Sequence, residues 1–408
     1  MNPEYQPMLE WIDAQGEAMR ERIAEWASLC TGSEYPAGLD AMCSKLEAAF
    51  HTLSSEAPEL VPLTLASRPS ENRTALRINC RRHAPTLVLL AGHYDTVFGP
   101  QHPFQDVVRE GSNLLRGPGV ADMKGGLVVM LTALTAFESM APFELKQRLG
   151  WEVFLNPDEE IGSPFSRPQF VECAQRNHLG LLFEPALPDG RLASSRKGSG
   201  NFAVVVHGRA AHAGRDPERG RNAIRAAADF VRAIDDLNGR REGVFINVGR
   251  IDGGGALNIV PDSAVVRYNV RTLRADDEAW LTGEVAAILA SLNGREGFLA
   301  EVTGEFASPP KPESAATNAM LGDLAACAQS LGFSLAWQPT GGACDGNKLA
   351  AAGLANVDNL GPRGGGLHSA EEHIELDSLT ERAKLAALYL WRLAAGEVHV
   401  PPRANGHA

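Results

Sequence analysis

The stretch Thr86–Phe98 reads TLVLLAGHYDTVF. Its apolar part is aliphatic and β-branched without polar alternation, the pattern of a strand buried on both faces of a parallel sheet. The run then ends in His93 and Asp95, two residues apart. A charged pair at the tip of such a strand does not serve packing, so it faces either solvent in a surface loop or a ligand. In open α/β sheets the carboxyl ends of the strands form the ligand crevice. What the other strands carry at their ends therefore decides between the two readings.

From residue 85 to about 190, apolar runs alternate with helix-like segments: TLVLLAG, MKGGLVVMLTALTAFESM, LGWEVFLNP, SRPQFVECAQRN and LGLLFEP. Such alternation implies α/β architecture, a mainly parallel sheet with helices on both faces. After Arg196 the texture changes. NFAVVVHGRA reads as a strand, GRNAIRAAADFVRAIDDLN as a helix, GVFINVGRI and SAVVRYNVRTL as strands, ADDEAWLTGEVAAILASLNG as a helix and FLAEVTGEFA as a strand. The order βαββαβ is the ferredoxin-like split unit, long enough here to stand as an α+β domain. From about Pro309 the first texture returns, with helices over ESAATNAMLGDLAACAQSLG and SLTERAKLAALYLWRLAAG. The expected organisation is one α/β domain, residues 1–196 and 309–408, interrupted by an inserted domain over 197–308.

Bulk properties exclude several classes. The chain has 408 residues, 44% hydrophobic and 22% charged, with a formal net charge of -12. Without a basic stripe, neither nucleic acid nor an anionic membrane is an expected partner. The N-terminal segment lacks the order of a signal peptide, and Met8, Trp11, Ile12, Met19, Ile23 and Trp26 recur at helical spacing, as if lining one helix face. No transmembrane helix is expected, because no run of about 18 apolar residues exists. Six scattered cysteines without a CxxC pair suit reduced, buried thiols and a cytoplasmic location. Disorder is expected only in the tail PPRANGHA.

Acidic and imidazole groups stand at or just beyond the ends of the first domain's strands. His93 and Asp95 follow TLVLLAG; Asp122 lies in GPGVADMKGG before a helix; Glu159 and Glu160 follow LGWEVFLNP; Glu184 follows LGLLF; His368 lies in the glycine-rich GPRGGGLHSAEEH. Each has an ordinary reading by itself: Asp122 as a helix N-cap, Glu159 and Glu160 as a solvated turn, Glu184 as a surface residue, His368 as a loop histidine. Together these readings need several independent coincidences at equivalent topological positions. Two imidazoles and several carboxylates suit a pair of divalent metal ions sharing a carboxylate, with one carboxylate left over as a base. Asp95 can accept the second ring N–H of His93 and fix its tautomer.

HYDTV, GPGVADMKGG, DEEIGS and LHSAEE, in this order, resemble the M20 family of metallo-exopeptidases and deacylases, most of all its glutamate carboxypeptidase (carboxypeptidase G2-like) branch. The likeness runs over nearly the whole chain. It implies a zinc-exopeptidase-like catalytic domain carrying a smaller lid that also dimerises, hence a homodimer. It further implies two zinc ions per chain, with Co2+ or Mn2+ as substitutes: His93, Asp122 and Glu184 on one, Asp122, Glu160 and His368 on the other. Glu159 matches the general base, which takes a proton from the water that bridges the metals and delivers it to the leaving amine. In HGRAAHAG, His212 matches a histidine that reaches the partner subunit's site. GGGALNIVPDSAVVRYNVR matches a substrate-binding segment and points to Asn258 and Arg271. Lys197 in SSRKGSG, and Gly341 and Gly342 in TGGACDGN, are further substrate-side candidates. Two departures, Asn269 where the family often has aspartate and Cys344 where it commonly has serine, put substrate choice in doubt but touch no metal position.

The expected activity is hydrolysis of an amide bond, releasing a C-terminal and possibly acidic amino acid from short peptides or N-acyl conjugates. A small-molecule deacylase similar to acetylornithine deacetylase is the nearest alternative. A non-catalytic homologue serving as a binding protein is a second, opposed by the intact base. A dinucleotide site in GRIDGGGALN lacks the strand-to-helix context that such a fingerprint requires.

Overall fold

In the computed structural model, which describes residues 4–403, the chain forms two compact units. One comprises Met1–Ser194, Glu313–Thr340 and Cys344–Ala408, the other Ser195–Pro312 with Gly341–Ala343. Most of the tail PPRANGHA, residues 404–408, lies outside the described residues.

The first unit is built on a six-stranded sheet. Its strands are β1 (Glu59–Thr64), β2 (Asn72–Cys80), β3 (Thr86–His93), β4 (Leu149–Asn156), β5 (Leu179–Leu182) and the short strand Asn356–Val357, in the order β1–β2–β4–β3–β5–Asn356–Val357. β3 pairs in parallel with β4 and β5, and Asn356–Val357 with β5. β2 pairs antiparallel with β1 and β4, so β2 alone runs against the others. β3 and β4 bury every position but Thr86, which explains their unbroken apolar sequences. His93 pairs with Asn156. The two strands thus end level, and the loops after them open at the same edge of the sheet.

β1 and β2 were not legible as apolar runs. β1 carries Pro62, tolerated because an edge strand has one side free of ladder bonds. The N-terminal periodicity is real, but it is split. Helices span Gln6–Ala14 and Gly16–Ala27, and Met8, Ile12, Met19, Ile23 and Trp26 are all buried. The break falls at Gln15 before Gly16, a poor helix former.

No transmembrane helix was expected, and one segment bears on that expectation by its length and hydropathy. Val120–Met140 covers 21 residues and by length and composition alone could cross a bilayer, but its most apolar part is almost wholly buried inside the protein, as in a core helix. The helix Gly125–Met140 is apolar all round because it is a core helix, packed by the C-terminal helix Asp377–Ala395 and the N-terminal pair. All six cysteines are free, and all but the half-buried Cys30 are buried.

The second unit is a four-stranded antiparallel sheet of β6 (Gly198–His207), β7 (Phe245–Gly253), β8 (Ser263–Thr272) and β9 (Leu299–Ser308), in the order β7–β8–β6–β9. Helices Ala223–Asp235 and Ala275–Asn293 share a core with one face, where Phe230, Ile234, Leu281 and Val285 join Val204, Val266, Tyr268 and Val270. Strand alternation puts Asn269 and Arg271 on the other face. Residues 254–262, which include Gly254 and Gly255 of GRIDGGGALN, open no helix, and Gly249 and Gly253 of the same stretch lie in β7.

Two glycines allow the close backbone approach that places the end of β5. A Cβ on Gly126 would lie 1.8 Å from the Phe183 carbonyl oxygen, and one on Gly361 2.5 Å from that same atom. Gly361 also donates its N–H to the Glu184 carbonyl at 2.8 Å. Gly126→Ala should therefore force backbone apart rather than displace a side chain, costing at least the ~1–3 kcal/mol typical of overpacking. Urea denaturation should show it, and a change within about 0.5 kcal/mol would contradict this account.

Candidate metal centre

His93 closes β3, Asp122 lies in the irregular turn Val120–Lys124 before the core helix, Glu159 and Glu160 form the short turn Glu159–Ile161 after β4, and Glu184 follows β5. The structure brings them together with His368. Asp122 stands in the middle: its Oδ1 is 3.1 Å from His93 Nε2 and its Oδ2 3.4 Å from His368 Nε2. His368 Nε2 is also 3.1 Å from Glu160 Oε2, and His93 Nε2 is 3.8 Å from Glu184 Oε2. One donor atom each from His93, Asp122 and Glu160 falls within 4.8 Å of the others. A carboxylate offering one oxygen to each of two imidazoles fits a bridging ligand, and the imidazole–carboxylate set fits zinc or a similar ion. His368 is placed by local backbone: its φ of +59° and the +67° of Gly366 turn the loop tightly.

Asp95 is fully buried and accepts from several directions. Its Oδ1 takes the Glu159 N–H at 3.1 Å, and its Oδ2 takes the Glu160 N–H at 3.2 Å and the Ser33 hydroxyl at 2.7 Å. His93 Nδ1 lies 3.1 Å from the Asp95 carbonyl and 3.3 Å from Oδ1. Asp95 thus faces the second ring nitrogen of His93, and its carboxylate also anchors the backbone that bears Glu159 and Glu160.

The electrostatics are those of too many carboxylates for two imidazoles. Burial favours a neutral His93, but hydrogen bonds to Asp122, Asp95 and Glu184 carry it well above its ordinary value. His368, bonded to Asp122 and Glu160, is raised to about 11. Burial opposes ionisation of Asp122, yet its bonds to the two histidines prevail and hold it below the usual carboxylate range. Burial and then the charge of Asp122 push Glu160 up to about 7. Burial also drives Glu159 well above its ordinary range, with Asp345, Glu184 and Glu160 adding to the effect and His93 opposing it. A metal-ligating set needs the reverse, neutral imidazoles and ionised carboxylates. Divalent cations would meet that need by taking the place of the shared protons.

Sequence reading passed over several members of this assembly. Ser33 lies in no recognisable motif. Asp345, in TGGACDGN, is buried and accepts from Asn156 Nδ2 at 3.0 Å, Lys348 Nζ at 2.9 Å and the Ser163 hydroxyl. It thereby braces the far end of the Glu159–Ser163 turn. Glu372, the second glutamate of LHSAEE, accepts the N–H groups of Ala121 and Asp122. Its motif was visible; its partner, some 250 residues away in sequence, was not.

The remaining candidates lie in the second unit. His212 sits in a loop beside Asn258: Ala213 N–H donates to the Asn258 carbonyl, and Gly214 N–H donates to His212 Nδ1 at 3.1 Å. Arg271 pairs in the ladder through its backbone, and its side chain, on the sheet face without helices, has no hydrogen bond or ion pair among the described residues. Lys197 joins β6 to the strand before it, and the Gly342 carbonyl accepts from Arg196 at 3.1 Å, with Gly341 adjacent.

Residues 194–296 match the peptidase dimerisation domain model of the M20 family. The chain is 30% identical over 319 residues to succinyl-diaminopimelate desuccinylase of Stenotrophomonas maltophilia (strain R551-3), covering 72% of this chain and 80% of that protein. It is 29% identical over 315 residues to carboxypeptidase G2 of Pseudomonas sp. (strain RS-16), covering 76% and 74%. Among solved structures it is similar to an M20 family metallo-carboxypeptidase, Sso-CP2 from Sulfolobus solfataricus, with a TM-score of 0.72 at 17% identity over 92% of this chain and 99% of that one. The chain therefore belongs to the M20 family of metallopeptidases and is a metallohydrolase.

Proposed function

We propose that the protein is a di-zinc amidohydrolase that releases a C-terminal amino acid from a short peptide or N-acyl conjugate. The observation that carries this reading is the position of Asp122, one oxygen toward each imidazole. His93, Asp122 and Glu184 would hold one ion, and Asp122, Glu160 and His368 the other. Bound zinc would supply Lewis-acid polarisation of the scissile carbonyl and lower the pKa of water. Glu159 is the general base: it takes a proton from the attacking water and returns it to the leaving amine. Asp95 fixes the His93 ring and the Glu159–Glu160 backbone, so the carboxylates do not reorganise during the reaction.

Arg271, without an internal partner, is the proposed holder of the substrate's free carboxylate, with Asn258, Lys197 and the Gly341–Gly342 backbone as further contacts. A planar guanidinium binds a carboxylate through two parallel bonds. His212 is proposed to act in a homodimer formed through the second unit, which the dimerisation-domain match supports. The alternative reading, an N-deacylase acting on a small acyl amino acid, uses the same residues, and the similarity to desuccinylases favours it as the competitor. A screen of N-acyl amino acids and dipeptides with product identification separates the two.

Titration with zinc should reach about two ions per chain. It should also release protons, because His93, His368 and Glu160 hold them above their ordinary values. The bound form carries fewer protons, so affinity should fall as pH falls, most steeply below about 7 where Glu160 is protonated. Saturation at one ion would sink the bridging role of Asp122.

Glu159→Gln should keep its zinc while kcat falls by roughly 10²- to 10⁴-fold, as expected for lost acid–base help. Glu160→Gln should lose zinc as well. Equal zinc loss in both variants would reverse the roles assigned within the pair.

Arg271→Lys should raise KM for substrates with a free α-carboxylate and leave the corresponding amides nearly unchanged, since Lys cannot form the two-pronged pair. An unchanged acid-to-amide ratio would place the carboxylate elsewhere.

A further inference from the structure

The loop that carries His368 meets the bridging carboxylate twice. From one side, His368 Nε2 reaches Asp122 Oδ2 at 3.4 Å. From the other, Glu372 Oε1 accepts the backbone N–H groups of Ala121 at 2.9 Å and Asp122 at 3.1 Å, and the Gly119 amide also faces this carboxylate. The Glu372 carbonyl in turn accepts the Gly117 N–H at 3.1 Å.

Glu372 is 1% exposed and lies too deep to meet substrate. The turn it grips needs such support. Ala121 and Asp122 lie in the irregular turn Val120–Lys124 that leads into the core helix, where the first N–H groups have no partner within a helix and need an outside acceptor. Behind the carboxylate stands Lys124, fully buried, with its Nζ donating to the Leu29 carbonyl at 2.8 Å.

We propose that Glu372 is the positioning residue for the bridging carboxylate: by accepting the Ala121 and Asp122 amides it fixes the backbone from which Asp122 reaches both imidazoles. This rests on the two-metal reading above. Its content is geometric. The site needs an acceptor at the Oε1 position, at the end of a side chain of glutamate length, and not a negative charge as such.

Three variants separate reach from charge. Glu372→Gln keeps length and a carbonyl acceptor but loses the charge. Glu372→Asp keeps the charge but withdraws the acceptor by one methylene. Glu372→Met keeps the length and has no oxygen. Zinc affinity is measured by competition with a chromophoric chelator, on protein shown to be folded by circular dichroism.

Glu372→Gln should bind both zinc ions close to wild type. Glu372→Asp and Glu372→Met should lose roughly 10- to 100-fold in affinity, the usual effect of removing an outer partner of a metal ligand. The loss should appear in metal affinity at a thermal midpoint of the metal-free form that tracks Glu372→Gln, which a purely structural role would not give. Wild-type affinity in Glu372→Asp, or a loss in Glu372→Gln equal to that in Glu372→Asp, overturns the proposal. Should Glu372→Met fail to fold, the Gln and Asp pair decides alone. A wild-type protein that takes up no zinc overturns the metal reading itself, an outcome distinct from the other two.

Discussion

The candidate centre depends on one buried carboxylate that is neither a proposed ligand nor the proposed base. Asp95 accepts the backbone N–H groups of both Glu159 and Glu160, the Ser33 hydroxyl and, across 3.3 Å, faces the ring of His93. β3 and β4 end level in the sheet, but level ends do not fix side chains. Asp95 converts that registry into a fixed relation between an imidazole and a pair of glutamates. With one carboxylate oxygen on each amide, the two glutamates are tied individually. Consecutive residues can then point different ways and hold different roles without drifting between them.

Around this anchor the charges are unbalanced by design of position. Asp122, Glu159, Glu160 and Glu184 crowd two histidines, and the result is raised histidines and raised glutamates side by side. Burying ionised carboxylates without compensation is costly, so the protein shares protons instead. Such a cluster would be a poor structural feature, since apolar packing of the same volume would serve folding better. It is a good receptor for divalent cations, which supply the missing positive charge in the one place where every donor converges. The M20 membership of the chain supplies an independent reason to expect ions there.

Much of this was legible in the sequence, and the limits of legibility follow physical lines. β3, β4 and β5 were visible because strands buried on both faces read as unbroken apolar runs, and their ends carry the polar groups that packing cannot explain. The βαββαβ order of the second unit was visible because its strands and helices each bury a single face. β1 and β2 were missed, since an edge strand with a proline and a strand studded with Asn72, Arg73 and Arg77 give no such run. Gly125–Met140 was legible as a helix because its apolar residues follow a short polar stretch, and as part of the buried segment Val120–Met140 it is apolar all round because it is a core helix. Ser33, Asp345 and Glu372 act through partners dozens to hundreds of residues away. One sequence reveals which residues are chemically capable, but only the fold reveals whom they touch.

The supporting groups share a logic that separates them from the proposed ligands. Asp95, Asp345 and Glu372 each accept from the turn that carries a ligand or the base: Asp95 on Glu159 and Glu160, Asp345 on Ser163 at the end of the same turn, Glu372 on Ala121 and Asp122. Turns at strand ends have amides without ladder or helix partners, and a buried amide left unpaired is costly. An anionic acceptor satisfies such amides strongly, and it also fixes the turn. The centre is therefore held through its backbone, by acceptor atoms placed at the right reach, and not only by side-chain packing. Selection among substrates has no such constraint in this unit. In the proposed reading it falls to Arg271 and Asn258 of the second unit, apart from the residues proposed as metal ligands.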